Sequence, residues 1–536
     1  MSGTIYFRVE IHGELEVRSP LHVGHGEVEK LEDERCHRPD DPAAKLALKE
    51  TDWQYQRFFS DGEDRITLPG STVRGNLRAL ARDLLNGDAV FEELFGPDEI
   101  EEAGQAGRLR VRDAPLIDGS AGTPATPFWH PQRQTGLQRS TAIDPVTGTA
   151  REKHLFGHEV APPESRFEAT LELHEVTEKQ LKKFLGLLKC WQGDIGRQMG
   201  ARRSRGFGRI AWQGGEVKVA QPDTIKQWFD NGELEAELPL STTTLEPNEL
   251  GEKSARMTIA YTLTTLSPLL VGEPGLVREK PEEADIDLHD YPGFEYARAP
   301  DGKPLIPGTS LAGLWRAQGR RILATLRYLK KKREAGITPK QAADWAEEQI
   351  QQLFGGEERQ SRIWFGDGKH QLSGAGTTTT SQQPETDYPS PPEGYSMPAL
   401  KPWEHLQYFN AIDRFSGAVA GEKGEGKLYS VKGVAPGTRF GGQILIADRG
   451  PLEPWMKGLL ALILRDIQDG ELPLGWGKNR GYGEWRMDDA GEKGFLRGLN
   501  GGERSDDKTK QGSEPEQAFD ATINDWITAL NDHAKE

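Results

Sequence analysis

The chain has 536 residues, which is too long for one compact core and predicts about two to four domains. Hydrophobic residues make up 35% and charged residues 28%, as in globular proteins with sizeable loops, and the sequence shows no apolar run long enough to span a bilayer. The formal net charge of −17 argues, taken globally, against a nucleic-acid partner, although a local basic strip can hold phosphates on an acidic protein. With two cysteines and no signal-peptide pattern, we expect a cytoplasmic protein.

Four short segments of the first half recur in the same order in the second half. SPLHVG (19–24) recurs as SPLLVG (267–272), LPGSTVRG (68–75) as IPGTSLAG (306–313), AIDPVTG (142–148) as AIDRFSG (411–417), and RGFG (205–208) as RGYG (480–483). Four collinear matches indicate an internal duplication whose loops have changed length. The predicted divisions are a first copy at 1–215, a connector at 216–256, a second copy at 257–490 and a flexible tail at 491–536.

Both copies show the same coarse order of elements. Each opens with an alternating strand, at 6–11 and at 258–263, and continues through a long polar loop to a Pro-Gly turn and an amphipathic helix. More strands, a second helix at 177–188 or 454–464, and a glycine-rich loop follow. The pattern predicts an α+β fold with strands and helices in two layers.

Three further segments are predicted from local composition. A short helix is expected near 225–229, and the end of the chain, 519–530, has the spacing of one amphipathic helix. The stretch 373–398 is polar and of low complexity, and it lies where only the second copy has gained length. We therefore expect it to be a flexible surface insertion.

The Pro-Gly-Ser-Thr turn places Ser71 or Thr72 at a helix N-cap, where backbone N–H groups can accept a phosphate. Arg74, Arg78 and Arg82 follow at spacings of four and form one basic stripe along that helix. The corresponding residues of the second copy are Ser310, Arg316 and Arg320. Taken alone, this motif is better explained by an ordinary capped helix with a solvated basic face.

The glycine-rich loops are more specific. The first, at 196–209, contains five arginines and no acidic residue: Arg197, Arg202, Arg203, Arg205 and Arg209. Glycines let a backbone approach a ligand closely, arginines fork onto phosphate oxygens, and Phe207 could stack on a base or lie in the core. The second loop, at 474–485, has Lys478, Arg480 and Tyr482. A tight hairpin with exposed arginines is the alternative, but so basic a cluster in so acidic a chain favours nucleic acid.

Taken together, the Pro-Gly-Ser turn with its basic helix, the Ile-Asp-x-x-Thr/Ser-Gly segment and the Arg-Gly-Phe/Tyr-Gly loop resemble the RAMP superfamily of CRISPR-associated proteins. Within it they resemble the backbone subunits of type III effector complexes. The resemblance implies a ferredoxin-like, RNA-recognition-type domain in each half, with a palm that holds guide RNA and a β-hairpin thumb. The thumbs would lie at 143–167 and 412–440, with Asp144 and Asp413 at their bases.

The resemblance also implies partners and an activity. The partners are a CRISPR guide RNA, a complementary target RNA, and other subunits of the complex: a large polymerase-like subunit, further RAMP subunits and small subunits. Target RNA would be cut with a divalent metal such as Mg²⁺, beside an aspartate in the long loop after the first strand. The candidate catalytic residues are Asp41 and Asp52 in the first copy, and Asp285, Asp287 and Asp290 in the second. A solvated acidic loop is the alternative for each of them.

Three other functions stay open at this point. The chain could be a non-catalytic scaffold of the same complex, or a metal-independent guide-processing ribonuclease of the same superfamily that uses His25 or His37. It could also be a tandem β-domain that binds carbohydrate or protein. Cleavage of target RNA would separate a catalytic subunit from a scaffold. Metal-independent cleavage of a repeat-containing precursor would indicate the processing ribonuclease, and failure to co-purify with RNA would indicate the tandem β-domain.

Overall fold

The structure is a computed structural model. The residues it describes are 4–30, 54–85, 88–97, 106–121, 129–130, 132–143, 150–192, 198–203, 206–232, 238–250, 257–272, 294–299, 302–356, 359–371, 400–410, 428–446, 452–499 and 516–535. These residues divide into two compact units, and residues from 257 onward belong to the second. Within the described helices, none is both long and apolar enough to cross a membrane. The predicted insertion at 373–398 lies outside the described residues.

The first unit contains the elements of the first copy and of the connector, except that residues 140–143 and 150–155 are grouped with the second unit. In chain order they are β1 (Ile5–Val17), β2 (Gly24–Lys30), β3 (Gln54–Phe58), β4 (Thr67–Leu68), α1 (Gly70–Leu84), α2 (Ala89–Phe95), β5 (Leu109–Val111), β6 (Ala114–Pro115), β7 (Trp129–His130), β8 (Thr135–Ile143), β9 (Ala150–Val160), β10 (Arg166–Thr177), α3 (Glu178–Gln192), β11 (Ile210–Ala220), α4 (Pro222–Asp230) and β12 (Ser241–Thr242).

The main sheet of this unit has the order β12-β11-β1-β10-β5. Strand β1 lies between β10 and β11 and is antiparallel to both, and β5 is antiparallel to β10. In chain order the sheet strands and their helices are β1, α1, β5, β10, α3 and β11, which is a β-α-β-β-α-β pattern. When these four strands are numbered along the chain, they lie side by side in the order 4-1-3-2. This is the ferredoxin-like arrangement, so the expected fold class is confirmed.

Alternating and helical periodicity explain the core of the first unit. Val9, Ile11, Leu15 and Val17 of β1 are buried on one face of the sheet. The predicted apolar face of α1 is buried as well, because its members recur every three or four residues and cover that sheet: Val73, Leu77, Leu80 and Ala81. Strand β11 runs through residue 215, so the start of the predicted connector is part of the main sheet and pairs with β12.

A second sheet of the first unit has the order β2-β3-β9-β8-β7 and contains the hairpin of β8 and β9. The hairpin strands occupy Thr135–Ile143 and Ala150–Val160. The hairpin therefore begins before the Ile-Asp segment, whereas the sequence placed it at 143–167. Asp144 and Asp413, predicted at the hairpin bases, lie outside the described residues.

The second unit repeats this order, and two of its helices are longer than their counterparts in the first unit. Its elements are β13 (Met257–Thr265), β14 (Phe294–Glu295), β15 (Leu305–Ile306), α5 (Gly308–Ala335), α6 (Pro339–Phe354), β16 (Ile363–Phe365), β17 (Gly368–Gln371), β18 (Glu404–Asn410), β19 (Leu428–Val434), β20 (Arg439–Ile446), α7 (Pro454–Gln468), β21 (Trp485–Met487), α8 (Asp489–Leu499) and α9 (Glu516–His533). Strands β21, β13 and β20 are adjacent, and β16 and β17 both pair with β20, which gives the same 4-1-3-2 order. A smaller sheet, β14-β19-β18, contains the second hairpin.

The end of the chain differs from the expected flexible tail where it is described. Phe495 and Leu499 of α8, and Trp526 and Leu530 of α9, belong to the core of the second unit. Helix α9 packs on α7, where a Cβ added to Gly458 would overlap the backbone of Trp526. The apolar stripe was visible in the sequence, but only the matching face of α7 gives it a place to be buried.

Candidate nucleic-acid interface

The first glycine-rich loop packs directly on the Ser-Pro-Leu segment that follows β1. The Gly208 amide donates to the Pro20 carbonyl at 2.9 Å, and the Ala201 amide donates to the His22 carbonyl at 2.9 Å. Within the loop, the Met199 amide donates to the Gly208 carbonyl at 2.8 Å. We call this arrangement the loop junction.

The second copy contains the same junction with the same bonds. The Gly483 amide donates to Pro268 O at 2.8 Å, Trp476 N to Leu270 O at 2.8 Å, and Leu474 N to Gly483 O at 2.8 Å. Two of the four repeated motifs are therefore in contact with each other in each unit. The bonds also give a residue-by-residue equivalence between the copies, in which Trp476 corresponds to Ala201.

Glycine is required in both loops by protein packing. Gly200 and Gly208 have φ values of +78° and +80°, and a Cβ added to either would overlap the carbonyl of His22 or Met199. Gly475 and Gly483 have φ values of +83° and +91° and meet the same obstacle. These glycines bring two protein segments together, whereas the sequence suggested close approach to a ligand.

The aromatic residue of each loop is buried. Phe207 is 3% exposed and Tyr482 is 2% exposed. The hydroxyl of Tyr482 donates to Gln407 Oε1 of β18 at 2.6 Å. Both rings lie in the protein interior, where neither can stack on a base, so of the two alternatives for Phe207 the structure shows the core position.

The basic residues of the first loop lie beside the hairpin. The Arg202 guanidinium covers the Phe156 ring of β9 at 4.3 Å, and its Nε donates to His158 Nε2 at 2.9 Å. Arg203 is exposed and Arg209 is partly exposed. Arg197 and Arg205 lie outside the described residues. The loop thus presents positive charge at the root of the hairpin.

The second loop also contacts its hairpin through an arginine. Lys478 and Arg480 are exposed and lie on a single 3₁₀ turn between Gly477 and Gly481. The Arg480 guanidinium is 5.7 Å from the ring centroid of Phe409 on β18. Each copy therefore joins its glycine-rich loop to its hairpin by a cation–π contact.

A buried ion pair lies beneath the first hairpin. Arg133 Nη2 is 2.9 Å from Glu159 Oε2, and both side chains are under 5% exposed. The Glu159 carboxylate also accepts from Thr135 Oγ1 at 2.6 Å and from the Phe58 amide at 2.8 Å. Burial raises the pKa of Glu159, while Arg133 and these donors oppose the rise. Burial also lowers the pKa of His22, whose Nδ1 is 2.7 Å from the Glu159 carbonyl.

The second copy has a pair of reversed polarity at the equivalent strand position. Leu21 bridges to Ala161 and Leu269 to Val434, so Lys432 occupies the place of Glu159. Lys432 Nζ is 3.3 Å from Glu404 Oε1. Neither pair was predicted, because a single charged residue in a strand gives no sequence signal of burial.

The predicted basic stripe of α1 is largely occupied by protein contacts. Arg74 Nη2 and Arg78 Nη1 donate to the Phe95 carbonyl at 2.8 and 2.9 Å, and Arg78 Nη2 donates to Gly96 O at 2.9 Å. These carbonyls end α2, where a cation also stabilises the helix dipole. Of the three arginines in the stripe, Arg82 is the most exposed.

The basic residues of α5 also bind protein groups on a neighbouring helix. Arg316 Nη1 donates to the Gly355 carbonyl after α6 at 2.6 Å, and Arg316 and Arg320 both pair with Glu347, at 2.8 and 2.9 Å. A further repeat, Leu-Phe-Gly at 94–96 and at 353–355, marks the two helix ends that these arginines bind. That repeat was the signal that the sequence analysis missed.

The residues that cap α1 and α5 are not the ones that the sequence predicted. The N-cap residues of α1 and α5 are Pro69 and Pro307, so Ser71, Thr72 and Ser310 lie inside the first turn. The Gly70 amide donates to Asp113 Oδ1 at 2.7 Å, and the Gly308 amide donates to Asp367 Oδ1 at 2.8 Å. A carboxylate of the protein thus occupies the position at which the sequence suggested a phosphate.

We expect Asp113→Ala and Asp367→Ala each to lower the free energy of unfolding by about 0.5–2 kcal/mol, because a helix loses its capping acceptor. Asp→Asn at the same positions keeps an oxygen acceptor and is the matched control. Urea unfolding of the four variants measures the effect. Equal stability of the alanine and asparagine variants would contradict a capping role.

The predicted catalytic residues lie in segments that the structure does not describe: Asp41, Asp52, Asp285, Asp287 and Asp290. Within the described ranges, no group of three His, Cys, Asp or Glu side chains could hold a metal ion. Asp290 precedes Phe294 of β14 by four residues, and Asp52 precedes Gln54 of β3 by two.

Comparison with known proteins covers both copies. A sequence model of the family described as the RAMP superfamily matches residues 14–211 and 262–485, which is more than half of the chain. The chain is also similar to a protein of Methanocaldococcus jannaschii described as "CRISPR system Cms endoribonuclease Csm3", with 23% identity over 271 residues. That alignment covers 45% of this chain and 93% of the relative. The relative is therefore about half as long as this chain.

Proposed function

The chain belongs to the RAMP superfamily, and we propose that it is an RNA-binding backbone subunit of a type III CRISPR effector complex with two backbone domains in one chain. The observation that carries the proposal is the loop junction, built twice with the same bonds. Each junction presents basic side chains beside a hairpin, and the main sheet of each unit is ferredoxin-like. The similarity to a CRISPR endoribonuclease supports the same assignment.

In this proposal the first copy contributes most of the charge that holds the RNA backbone. Its loop presents Arg202 and Arg203 within the described residues, and the sequence adds Arg197 and Arg205. Arginine forks onto phosphate oxygens and stays charged at all physiological pH values. A guide RNA would therefore follow a local basic path on a protein whose net charge is −17. Its partners would be complementary target RNA and the other subunits of the complex.

We expect R202A/R203A/R205A to weaken binding of single-stranded RNA and to flatten its salt dependence. Three fewer phosphate contacts lower the slope of log K against log salt by about 2 for a single strand. Fluorescence anisotropy of labelled RNA at several salt concentrations measures both quantities. The K478A/R480A variant of the second loop should change the slope less, because it removes two charges.

The matched control is Arg465→Ala, an arginine of α7 that is 62% exposed and lies outside both the loop junctions and the basic stripes. It should leave the slope unchanged. An unchanged affinity and slope in the triple variant would remove the first loop from the RNA path. Failure of the unaltered chain to co-purify with RNA would instead favour a tandem domain that binds carbohydrate or protein.

We further propose that the acidic loops cut target RNA. The candidates are Asp285, Asp287 and Asp290 in the second copy, and Asp41 and Asp52 in the first. Their carboxylates would hold a divalent ion such as Mg²⁺, which would stabilise the negative charge that develops as the 2′-hydroxyl bonds to the adjacent phosphorus and the 5′-oxygen leaves as a hydroxyl. A non-catalytic scaffold is the competing function, and metal-independent cleavage of a guide precursor would indicate a processing ribonuclease.

A further inference from the structure

The second glycine-rich loop carries a partly exposed aromatic cluster that has no counterpart in the first loop. Trp476 of the loop stacks on Phe294 of β14, with ring centroids 6.2 Å apart and planes at 23°. Phe409 of β18 meets Trp476 edge to face at 5.7 Å. Phe294 is 39% exposed and Trp476 is partly exposed, so the stack reaches the surface.

Positive charge borders this stack. The Arg480 guanidinium is 5.2 Å from the Trp476 ring centroid, and Lys478 is exposed on the same turn. The turn is fixed by Gly477 and Gly481, whose φ values are +74° and +78°. Exposed aromatic faces beside cations are the combination that binds unpaired nucleotides, because bases stack and phosphates pair with the cations.

The first copy shows that the shared fold does not require these rings. Ala201 stands at the position of Trp476, since both amides donate to the equivalent carbonyls of His22 and Leu270. Gln56 stands at the position of Phe294, because β3 and β14 pair in parallel with β9 and β19 in the same register. The loop junction forms equally well in both units, so the two aromatic side chains are an addition of the second copy.

We propose that Phe294, Trp476 and Arg480 form a stacking site for one unpaired base of the bound RNA, with Lys478 against a neighbouring phosphate. The inference rests on the proposed function and adds a division between the copies. The first copy binds RNA mainly through charge, and the second binds it in part through stacking. Stacking is nearly independent of salt, whereas phosphate contacts are not.

The test uses the full-length chain, a labelled single-stranded RNA and a salt series. We expect Trp476→Ala to weaken binding about five- to one-hundred-fold at every salt concentration while leaving the salt slope unchanged. Trp476→Phe keeps an aromatic face and should retain most of the affinity. Phe294→Ala should weaken binding in the same direction, and it removes a side chain that is already 39% exposed.

The matched control is Trp345→Ala. Trp345 is also partly exposed and is also covered by an arginine, Arg327, at 4.8 Å, but it lies on α6 away from the loop junction of this unit. It should leave RNA binding unchanged. Thermal melting of each variant identifies loss of folding, and a folded W476F variant that binds no better than W476A would overturn the proposal.

A second readout is direct. RNA containing 4-thiouridine should photo-crosslink to the peptides with Trp476 or Phe294, and W476A should lose that crosslink. If the unaltered chain binds RNA but W476A and F294A bind it equally well, the stacking site is wrong and the RNA-binding function stands. If the unaltered chain binds no RNA, the proposed function fails first. Loss of subunit assembly with unchanged RNA binding would mark the cluster as a protein contact and overturn the inference.

Discussion

Arg133→Ala should lower the free energy of unfolding of the first unit by about 3–5 kcal/mol, because it leaves a buried carboxylate without its cation. Arg133 is 2% exposed, and its partner Glu159 also accepts from Thr135 and from the Phe58 amide. The ion pair therefore fixes the root of the hairpin relative to β3. Urea unfolding followed by circular dichroism measures the loss.

The loss in Arg133→Ala should depend on pH. Burial raises the pKa of Glu159 in the folded chain, and removal of Arg133 strengthens that rise. An acid whose folded pKa is raised destabilises the fold above its ordinary pKa and regains stability as it is protonated. The deficit of the variant should therefore be smaller at about pH 5 than at pH 8.

The matched variant for this pair is R133M/E159Q. It removes both charges, and the glutamine oxygen can still accept from the Phe58 amide while its NH₂ group donates to the Thr135 hydroxyl, so it should recover part of the stability that Arg133→Ala loses. Arg78→Ala breaks several hydrogen bonds to α2 without exposing a buried charge, and should cost less. A loss below about 1 kcal/mol in Arg133→Ala would show that the pair is not a determinant of stability.

Asp287→Ala or Asp290→Ala should abolish one cut in the target RNA while leaving guide binding intact. The three aspartates at 285, 287 and 290 are close in sequence, and repulsion between neighbouring carboxylates favours binding of a cation. The assay is cleavage of a guide-matched RNA by the assembled complex with Mg²⁺, with chelator as the metal-removal arm. Chelation should stop cleavage and leave the guide bound.

The two copies predict a pattern of products. If both domains cut, the products should differ by one fixed interval, because two similar palms would meet the guide–target duplex one repeat apart. Asp41→Ala or Asp52→Ala should then remove the second cut. Asp344→Ala, an exposed carboxylate on α6, is the control and should change neither. Loss of RNA binding together with cleavage would mean that a loop is structural, and unchanged cleavage in all four loop-aspartate variants would leave the scaffold function.

The sequence by itself determined the duplication, the fold class and the main helices. These follow from local order: the Pro-Gly turns, the strand alternation and the spacing of Val73, Leu77 and Leu80 are each set within a few residues. The observed α3 begins one residue after the predicted start and α7 begins at it, and both helices extend four residues beyond the predicted ends. Local periodicity carries this information because a helix or strand buries one face whatever it packs against.

The tertiary structure alone decided what the marked residues touch. Arg74, Arg78 and Arg316 form a basic stripe in the sequence, yet they bind carbonyls at the ends of α2 and α6. The loop glycines and Phe207 look like ligand contacts in the sequence, yet they pack one protein segment on another. Arg133 and Glu159 meet across 26 residues of chain, and Trp476 meets Phe294 across far more. Such partners are fixed by sheet register and loop closure. The residue types therefore show which interactions are possible, and only the fold decides whether a residue makes a structural contact or lies on the surface.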